Sequence, residues 1–168
     1  MQRFAGILPF GYDTAGQVHV LLAREAFGRD AGLWSGFAGK PEAKDGGDPL
    51  ATASREGFEE SCGLLGTQSD LMVTILPKHA SPVALSSGQH YLLPLQFNSY
   101  LPFMFKGVQS ALVASRTGTD YSPFLEKTAI RWFSVQELST RSEVLRPGFR
   151  EDIPALLGAM TSLDHGGL

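Results

Sequence analysis

The first 25 residues show the pattern of apolar and polar positions that is typical of paired β-strands. Residues 5–10 (Ala-Gly-Ile-Leu-Pro-Phe) and residues 18–23 (Val-His-Val-Leu-Leu-Ala) are two short apolar runs. The turn cluster Asp13-Thr14-Ala15-Gly16 separates them. Short apolar runs bounded by turn residues indicate strands, so we expect a β-hairpin here.

Glycine and polar residues dominate residues 28–47, around one aromatic island at residues 34–37 (Trp-Ser-Gly-Phe). This composition predicts an ordered loop whose backbone can approach a ligand closely. A helix should then begin at Asp48-Pro49, because aspartate caps backbone N–H groups and proline is tolerated at the first helical position. We expect this helix to end near Gly63, with one face packed against a sheet and the opposite face charged.

The rest of the chain predicts three more strands and three more helices. Strands are expected at residues 71–76, 90–97 and 129–133, the second of them at an edge or a bulge because it contains a proline. Helices are expected at residues 105–115, 135–138 and 150–160. Strands and helices that alternate irregularly around antiparallel pairs indicate an α+β fold or an α/β/α sandwich.

Length and composition set bounds on the class of protein. The chain has 168 residues, the size of one ordinary domain, and none of its apolar runs approaches the ~20 residues that a membrane span needs. We therefore expect a soluble protein, and we expect it in the cytoplasm because residues 1–4 lead directly into a strand-like segment and not into a secretory signal. A formal net charge of −3 argues against a general binder of nucleic acid or polyphosphate, so a metal ion would have to attract an anionic substrate. The single cysteine, Cys62, is expected to be a packed core residue.

The segment with the most chemical information is Arg55-Glu56-Gly57-Phe58-Glu59-Glu60. Its three glutamates stand at positions i, i+3 and i+4, so they share one helix face, where like charges repel by a few tenths of a kcal/mol per pair. Clustered carboxylates suit magnesium or manganese, which neutralise phosphate oxygens and acidify a bound water. The alternative is a solvated acidic face with Arg55 as its surface partner. The glycine-rich loop before the helix favours the metal site.

This segment resembles the Nudix family. The family's box runs G-x5-E-x7-R-E-U-x-E-E-x-G-U, where U is a bulky aliphatic residue, and the matching stretch runs from Gly39 to Leu64. Residues 34–40 resemble the family's lead-in of an aromatic residue and glycines before a lysine, and residues 126–138 resemble its later strand and turn. The resemblance implies a Nudix-type α/β/α sandwich with a mixed, mostly antiparallel sheet, in one domain over residues 1–168.

Three positions depart from the box. The interval from Gly39 to Arg55 is two residues longer than the pattern, so the first box glutamate has no unique counterpart within residues 45–48 (Asp-Gly-Gly-Asp). Gly57 replaces an aliphatic residue, which indicates closer packing of the helix. The box glycine comes one residue late, at Gly63, which predicts one extra helical residue before the cap.

The resemblance also implies roles for the box residues. Glu59 and Glu60 would be the main ligands of a Mg²⁺ or Mn²⁺ ion, and Glu56 would be a further ligand or the base for the attacking water. The backbone carbonyl of Gly39 would complete the metal shell. Arg55 would orient the glutamates through hydrogen bonds.

Glu126 is a candidate for the additional glutamate that many members of the family bring from a late loop, as a ligand or a base. It stands six residues before Trp132. The alternative is an exposed carboxylate that pairs with Lys127.

Four residues around the glycine-rich loop are candidates for contact with a substrate. The two arginines could bind phosphate and the two aromatic residues could stack on a base, while solvated charges and core packing are the alternatives. These four are Arg24, Arg29, Trp34 and Phe37.

The resemblance implies a metal-dependent hydrolase that cleaves the pyrophosphate linkage of a nucleoside diphosphate joined to another moiety. Without a basic stripe, nucleic acid is an expected partner only as a capped RNA end, and a homodimer is compatible with the sequence. One alternative is a Nudix-like nucleotide-binding module without catalysis, against which the retained glutamates argue. Another is a relative of isopentenyl-diphosphate isomerase, which would need a reactive cysteine, and Cys62 at the end of the box helix is poorly suited.

Overall fold

The computed structural model describes residues 3–116 and 122–164 of the chain. Seven strands form one sheet: β1 Phe4–Tyr12, β2 Val18–Glu25, β3 Trp34–Ser35, β4 Phe37–Gly39, β5 Ser81–Ala84, β6 Gly88–Pro94 and β7 Lys127–Ser134. The α-helices are α1 Pro49–Glu60, α2 Gln68–Asp70, α3 Leu76–His79, α4 Leu101–Ser115, α5 Val135–Thr140 and α6 Pro147–Asp164. A π-helical segment, Leu71–Ile75, joins α2 to α3, and short 3₁₀ turns lie at Ala43–Asp45, Pro123–Leu125 and Ser142–Val144.

The sheet is mixed and mostly antiparallel, as expected. β1 pairs in parallel with β6 and antiparallel with β2 and β4. β2 also pairs antiparallel with β3 and β7, and β5 pairs antiparallel with β6. The predicted hairpin is confirmed by β1 and β2, in which Phe10 lies opposite Val20.

Two hydrophobic cores lie on the two faces of the sheet, because successive side chains of a strand point to opposite faces. Ile7 and Leu8, adjacent in β1, are both fully buried, and they belong to different cores. The core of Ile7 includes Ala53 of α1, and the core of Leu8 includes Leu156 of α6. The expected α/β/α sandwich is therefore confirmed. No helix within residues 3–116 and 122–164 is long and apolar enough to cross a membrane.

α1 begins as predicted. The side chain of Asp48 accepts a hydrogen bond from the backbone N–H of Leu50 at 2.9 Å, and Pro49 is the first helical residue. Gly57 allows the close packing that its place in the box indicated: a β-carbon at this position would lie only 2.4 Å from Cδ1 of Ile7. α1 therefore rests directly on β1.

The prediction of one extra helical residue at the end of α1 is wrong. The helix ends at Glu60, and Cys62 takes the left-handed conformation with φ of 53°. The N–H of Gly63 donates to the carbonyl of Phe58 at 2.9 Å, and the N–H of Cys62 donates to the carbonyl of Glu59 at 3.2 Å. These two bonds form a Schellman cap, in which Cys62 holds the position that glycine usually takes.

The prediction of a strand at residues 71–76 is wrong, because this segment is helical. Leu71 and Leu76 are buried while Met72 and Val73 between them are exposed, a spacing that alternating strand residues do not give. Thr67 caps the helical run by accepting from the N–H of Asp70. A short apolar run is compatible with either a strand or a partly buried helix, so the pattern of residues 71–76 alone does not distinguish the two.

The other predicted elements are present with different bounds. The strand expected at residues 90–97 is β6, which ends at Pro94 and lies between β1 and β5, not at an edge. The expected loop at residues 28–47 contains the short strands β3 and β4, and β5 was not predicted. The strand at residues 129–133 is confirmed as β7, and the three later helices are confirmed as α4, α5 and α6.

Candidate functional site

Three carboxylates from two distant parts of the chain meet at one end of the sandwich. Glu56 and Glu60 come from α1, and Glu126 comes from the residue before β7. One oxygen of each carboxylate lies within 4.8 Å of the others. Glu56 is 7% exposed and Glu60 is 3% exposed, so these residues do not form a solvated helix face.

Burial and mutual repulsion make these three carboxylates costly to ionise. Burial, together with the charge of Glu126, raises the pKa of Glu56 to about 7, although Arg55 opposes this shift. The pKa values of Glu60 and Glu126 are raised for the same main reason, burial. Oε2 of Glu60 is buried and has no hydrogen-bond partner within the described residues. A hard divalent cation fits this group because it would satisfy the unpaired oxygen and favour the ionised carboxylates.

Arg55 connects the acidic residues of the site. It is 2% exposed, and its Nη1 donates to Oε1 of Glu56 at 2.8 Å and to Oε2 of Glu59 at 3.2 Å. Its Nη2 donates to Oδ2 of Asp45 at 3.0 Å and to the carbonyl of Lys40 at 2.9 Å. The guanidinium therefore holds the loop before α1 and two helix glutamates in one arrangement.

Asp45 stands in the place of the first box glutamate. Five residues separate Gly39 from Asp45, as in the box, so the two additional residues lie between Asp45 and Arg55. The Asp45 carboxylate is buried and accepts from Arg55 and from Oγ1 of Thr52 at 3.0 Å. Although burial opposes it, the hydrogen bond from Arg55 holds the pKa of Asp45 below its ordinary value.

Lys127 is a site residue that the sequence did not indicate as functional. It is 1% exposed, and its Nζ lies 2.5 Å from Oε1 of Glu25 and 3.0 Å from Oε1 of Glu60. The surface pair of Glu126 with Lys127 that was the alternative for Glu126 is not found, because the ammonium pairs with these two other glutamates. The only available signal was its position directly after Glu126, two residues before the strand predicted at residues 129–133.

Glu59 and Gly39 occupy different positions relative to the three carboxylates. Glu59 lies outside the group and faces Arg55 and Lys44, whose Nζ is 3.8 Å from its Oε1. Gly39 lies against Glu56. The contact is so close that a β-carbon at position 39 would be 2.1 Å from Oε1 of that carboxylate.

Of the four candidates for substrate contact, Arg24 and Trp34 contact each other, while Arg29 is exposed and Phe37 is buried. Arg29 is exposed and lines a cavity of about 200 Å³. Nε of Arg24 donates to Oγ1 of Thr128 at 2.8 Å, and its guanidinium lies over the Trp34 ring. Trp34 itself packs against a core phenylalanine with ring centroids 5.1 Å apart. Phe37 is fully buried in the core next to α1, so it offers no face to a base and its interpretation as a stacking residue is corrected.

Solved structures with the same fold extend over nearly the whole chain. A Nudix hydrolase from M. smegmatis, RenU, aligns with 96% of this chain and 86% of its own, at a TM-score of 0.53 and 16% identity. A bifunctional NMN adenylyltransferase/ADP ribose pyrophosphatase from Francisella tularensis, complexed with AMP and manganese, aligns with 95% of this chain at a TM-score of 0.51 and 14% identity. This alignment covers 42% of the Francisella protein.

The C-terminal domain of mouse MUTYH, solved in complex with human PCNA, aligns with 96% of this chain and 90% of its own, at a TM-score of 0.50 and 13% identity. No protein-family model and no curated protein sequence matches the chain. At these identities the similarity concerns the fold. The resemblance that the box residues indicated is therefore confirmed at the level of architecture: the chain has the fold of the Nudix hydrolases.

Proposed function

We propose that this protein is a divalent-metal-dependent hydrolase that cleaves the pyrophosphate linkage of a nucleoside diphosphate joined to another moiety. The observation that carries the proposal is the convergence of buried Glu56 and Glu60 with half-buried Glu126, where one carboxylate oxygen of Glu60 has no hydrogen-bond partner within residues 3–116 and 122–164. Arg55 and Lys127 each pair with one of these glutamates, but Oε2 of Glu60 stays buried without a partner among the described residues, and a bound cation would offset that cost.

The residues that would hold the metal are Glu56 and Glu60, and the backbone carbonyl of Gly39, a residue in contact with Glu56, would complete the shell. Bound Mg²⁺ or Mn²⁺ would neutralise phosphate oxygens and lower the pKa of a water molecule. Arg55 keeps Glu56 in place by its 2.8 Å hydrogen bond, and Lys127 pairs with one oxygen of Glu60, which leaves the other without a partner among the described residues. Both cations are positioning residues in this proposal.

Glu59 has a different part in the proposal from the one that the box alone implies. Its carboxylate contacts Arg55 and Lys44, so it would stabilise the arginine from outside the group of three carboxylates. Glu126 takes its place in the group of three. We therefore assign the main metal contacts to Glu56 and Glu60, and we assign Glu126 a role as ligand or as the base that receives a proton from water.

The raised pKa of Glu126 supports the role of a base. Burial raises this pKa, and the charge of Glu59 contributes in the same direction. A carboxylate with a raised pKa accepts a proton more readily near neutral pH, which is the property a general base needs. The location of Glu126 in the same cluster as Glu56 brings it within reach of a water molecule held there.

The substrate class in the proposal is a nucleotide derivative. The Francisella protein, 42% of which aligns with this chain, is a bifunctional NMN adenylyltransferase/ADP ribose pyrophosphatase that was solved with AMP and manganese. The net charge of −3 gives this chain no general attraction for phosphate, which agrees with substrate capture through a metal and a few local arginines.

The test is a screen of nucleoside diphosphate derivatives with Mg²⁺ or Mn²⁺, in which added phosphatase releases phosphate from the products. We expect at least one substrate to be hydrolysed, and Glu60→Gln to lower turnover by orders of magnitude while it remains folded. The exposed Glu151 provides the matched variant Glu151→Gln, which should keep normal turnover. Nucleotide binding without any hydrolysis would instead identify a binding module. Full turnover in Glu60→Gln would contradict the metal site.

A further inference from the structure

Helix α4 carries an uncharged, mostly apolar face that points to solvent. Lys106 is the single charged residue of this helix. A surface helix normally shows charged and polar residues on its exposed side. In α4 and its N-terminal cap, apolar and small residues instead recur there at spacings of three and four, which places them on one face. We call this set the outer face of α4, and its members are Tyr100, Phe103, Met104, Gly107, Ala111 and Ala114.

The outer face belongs to a helix that is fixed to the rest of the fold. On the opposite side of α4, Phe105 is fully buried in the core next to α1, and Leu101 packs against the same core. The side chain of Gln109 donates to the backbone carbonyl of Lys127 in β7. The outer face is therefore a surface of fixed shape, and its exposure does not result from loose packing of the helix.

The bulky part of the outer face exposes a large apolar area. Phe103 is 74% exposed, Tyr100 is 72% exposed and Met104 is 50% exposed. Because an aromatic side chain has about 150–250 Å² of surface, the two rings together expose about 300 Å². Apolar patches of ~300–600 Å² on a monomer are often functional. Contact of this patch with water is a cost that a second apolar surface would remove.

The shape of the outer face fits a second copy of the same chain. Its bulky residues lie at the start of the helix, and its small residues lie in the middle and at the end. If two α4 helices run antiparallel about a two-fold axis near residue 107, Phe103 lies opposite the partner's Ala111. By the same symmetry, Tyr100 lies opposite the partner's Ala114. Each bulky side chain then meets a small one, and this self-complementarity is what a two-fold interface requires.

We propose that the outer face of α4 packs antiparallel against the same face of a second copy, so that the protein forms a two-fold homodimer. The face itself carries no charge that would oppose this approach. Lys106 is turned by about 100° around the helix from its neighbour Gly107, so its ammonium stays in water beside the contact.

A membrane surface fits the outer face less well than a second copy does. Helices that lie on membranes are normally rich in lysine and arginine on their polar face, whereas α4 has Lys106 alone. A membrane would also give no reason for bulky and small residues to occupy separate parts of the face.

The available area predicts a weak dimer. Two copies would remove roughly 600 Å² of aromatic surface from water, while interfaces of standard size bury about 1,200–2,000 Å² in total. Met104 and the small residues add to the buried area, which remains at the low end of this range. We therefore expect a dissociation constant on the order of 10 µM.

The experiment is sedimentation velocity of the full chain in EDTA, at concentrations from about 1 µM to about 300 µM. We expect the average mass to rise with concentration from the 18.1 kDa of one chain toward twice that value. Phe103→Glu should raise the dissociation constant at least tenfold, because it places a carboxylate against the partner's Ala111. The melting temperature of the dilute protein should not change, because Phe103 is mostly exposed.

The matched control is Val73→Glu, which introduces the same charge at a residue that is 70% exposed and lies outside α4. It should leave the dissociation constant unchanged. A mass of one chain at every concentration would overturn the proposal. A dimer that persists in Phe103→Glu would also overturn it, because association would then use another surface. Monomeric protein that sediments with vesicles of anionic lipid would assign the outer face to a membrane and overturn the proposal as well.

The antiparallel arrangement has its own test in a Cys62→Ser background, which removes the native thiol. Phe103→Cys and Ala111→Cys proteins are mixed and treated with a short bismaleimide, and mass spectrometry identifies the linked pairs. Linkage of position 103 to position 111 should predominate. Predominant linkage of position 103 to itself would indicate parallel helices and overturn the proposal. These measurements need neither substrate nor metal, so the dimer and the proposed hydrolase activity can fail independently of each other.

Discussion

Gly39 and Glu56 are in such close contact that a β-carbon on Gly39 would lie 2.1 Å from Oε1 of the glutamate. Real atoms do not approach to this distance, so any side chain at position 39 must displace the Glu56 carboxylate or the strand that carries Gly39. The absence of a side chain in β4 thus determines where a carboxylate of α1 can lie.

We predict that Gly39→Ala lowers turnover and reduces the rise in melting temperature that Mg²⁺ causes, because it moves Glu56 out of the group of three carboxylates. Differential scanning fluorimetry with and without magnesium measures the second effect. Gly107→Ala in α4 is the matched control, since a β-carbon there meets no atom within 4 Å. A normal magnesium response in Gly39→Ala would contradict the role of this contact.

Lys127→Met should destabilise the protein strongly. The ammonium is buried between Glu25 and Glu60, and removal of one partner of a buried ion pair leaves an uncompensated charge, which costs about 3–5 kcal/mol. Urea unfolding in EDTA gives the free energy of unfolding directly.

The control for this variant is Lys44→Met, which removes an exposed lysine whose ion pairs are worth about 0–1 kcal/mol at most. The double variant Lys127→Met with Glu60→Gln should recover part of the loss, because the glutamine is uncharged. A loss of under about 1 kcal/mol in Lys127→Met would show that the buried pair does not form.

The response to magnesium should depend on pH. In the metal-free protein the pKa of Glu56 is raised from its ordinary value of 4.5 to about 7. The folded state therefore holds this proton more tightly than the unfolded state, so the group's contribution to stability is full below pH 4.5 and is lost as pH rises through about 7.

Magnesium needs the ionised carboxylate, so it competes with the proton at low pH. Weak sites fill at millimolar metal concentrations, so the experiment uses magnesium at about 5 mM. We predict that this magnesium raises the melting temperature more at about pH 8 than at about pH 6. Glu56→Gln should reduce this difference, because it removes one titrating ligand. An equal or larger rise at the lower pH would be inconsistent with the raised pKa of Glu56.

Glu126→Gln should lower kcat far more than KM if Glu126 receives the proton of the attacking water. General-base catalysis is typically worth ~10²-fold to 10⁴-fold in rate. Steady-state kinetics across a pH series provides the measurement. If the variant keeps near-normal kcat throughout, Glu126 is not the base, and Glu56 becomes the preferred candidate.

The sequence predicts the part of the site that depends on local spacing. Asp48 and Pro49 mark the start of α1, and the positions of Glu56 and Glu60 within one helical turn place them together. These features need no knowledge of the rest of the fold, because helix geometry alone relates residues that are four apart.

The part of the site that depends on distant residues could not be predicted in the same way. Glu25 and Lys127 are 102 positions apart, and they meet because β2 and β7 are paired in the sheet. The buried lysine has no pattern that distinguishes it from a surface lysine. Likewise, the burial of Phe37 depends on the pairing of β4 with β1, which the glycine-rich composition around it does not reveal.

The proposed metal site depends on Gly57, which lies on the face of α1 that packs against β1 and not on the face that carries the glutamates. Because a β-carbon at position 57 would lie 2.4 Å from Ile7, the separation between α1 and β1 is limited by the backbone of the helix itself. A larger residue there would lift α1 from the sheet and carry Glu56 and Glu60 away from Glu126, which belongs to the sheet side of the site. The size of a residue that never contacts a ligand would thus control how closely the carboxylates approach one another, and substitutions at positions 7 and 57 should change metal affinity together.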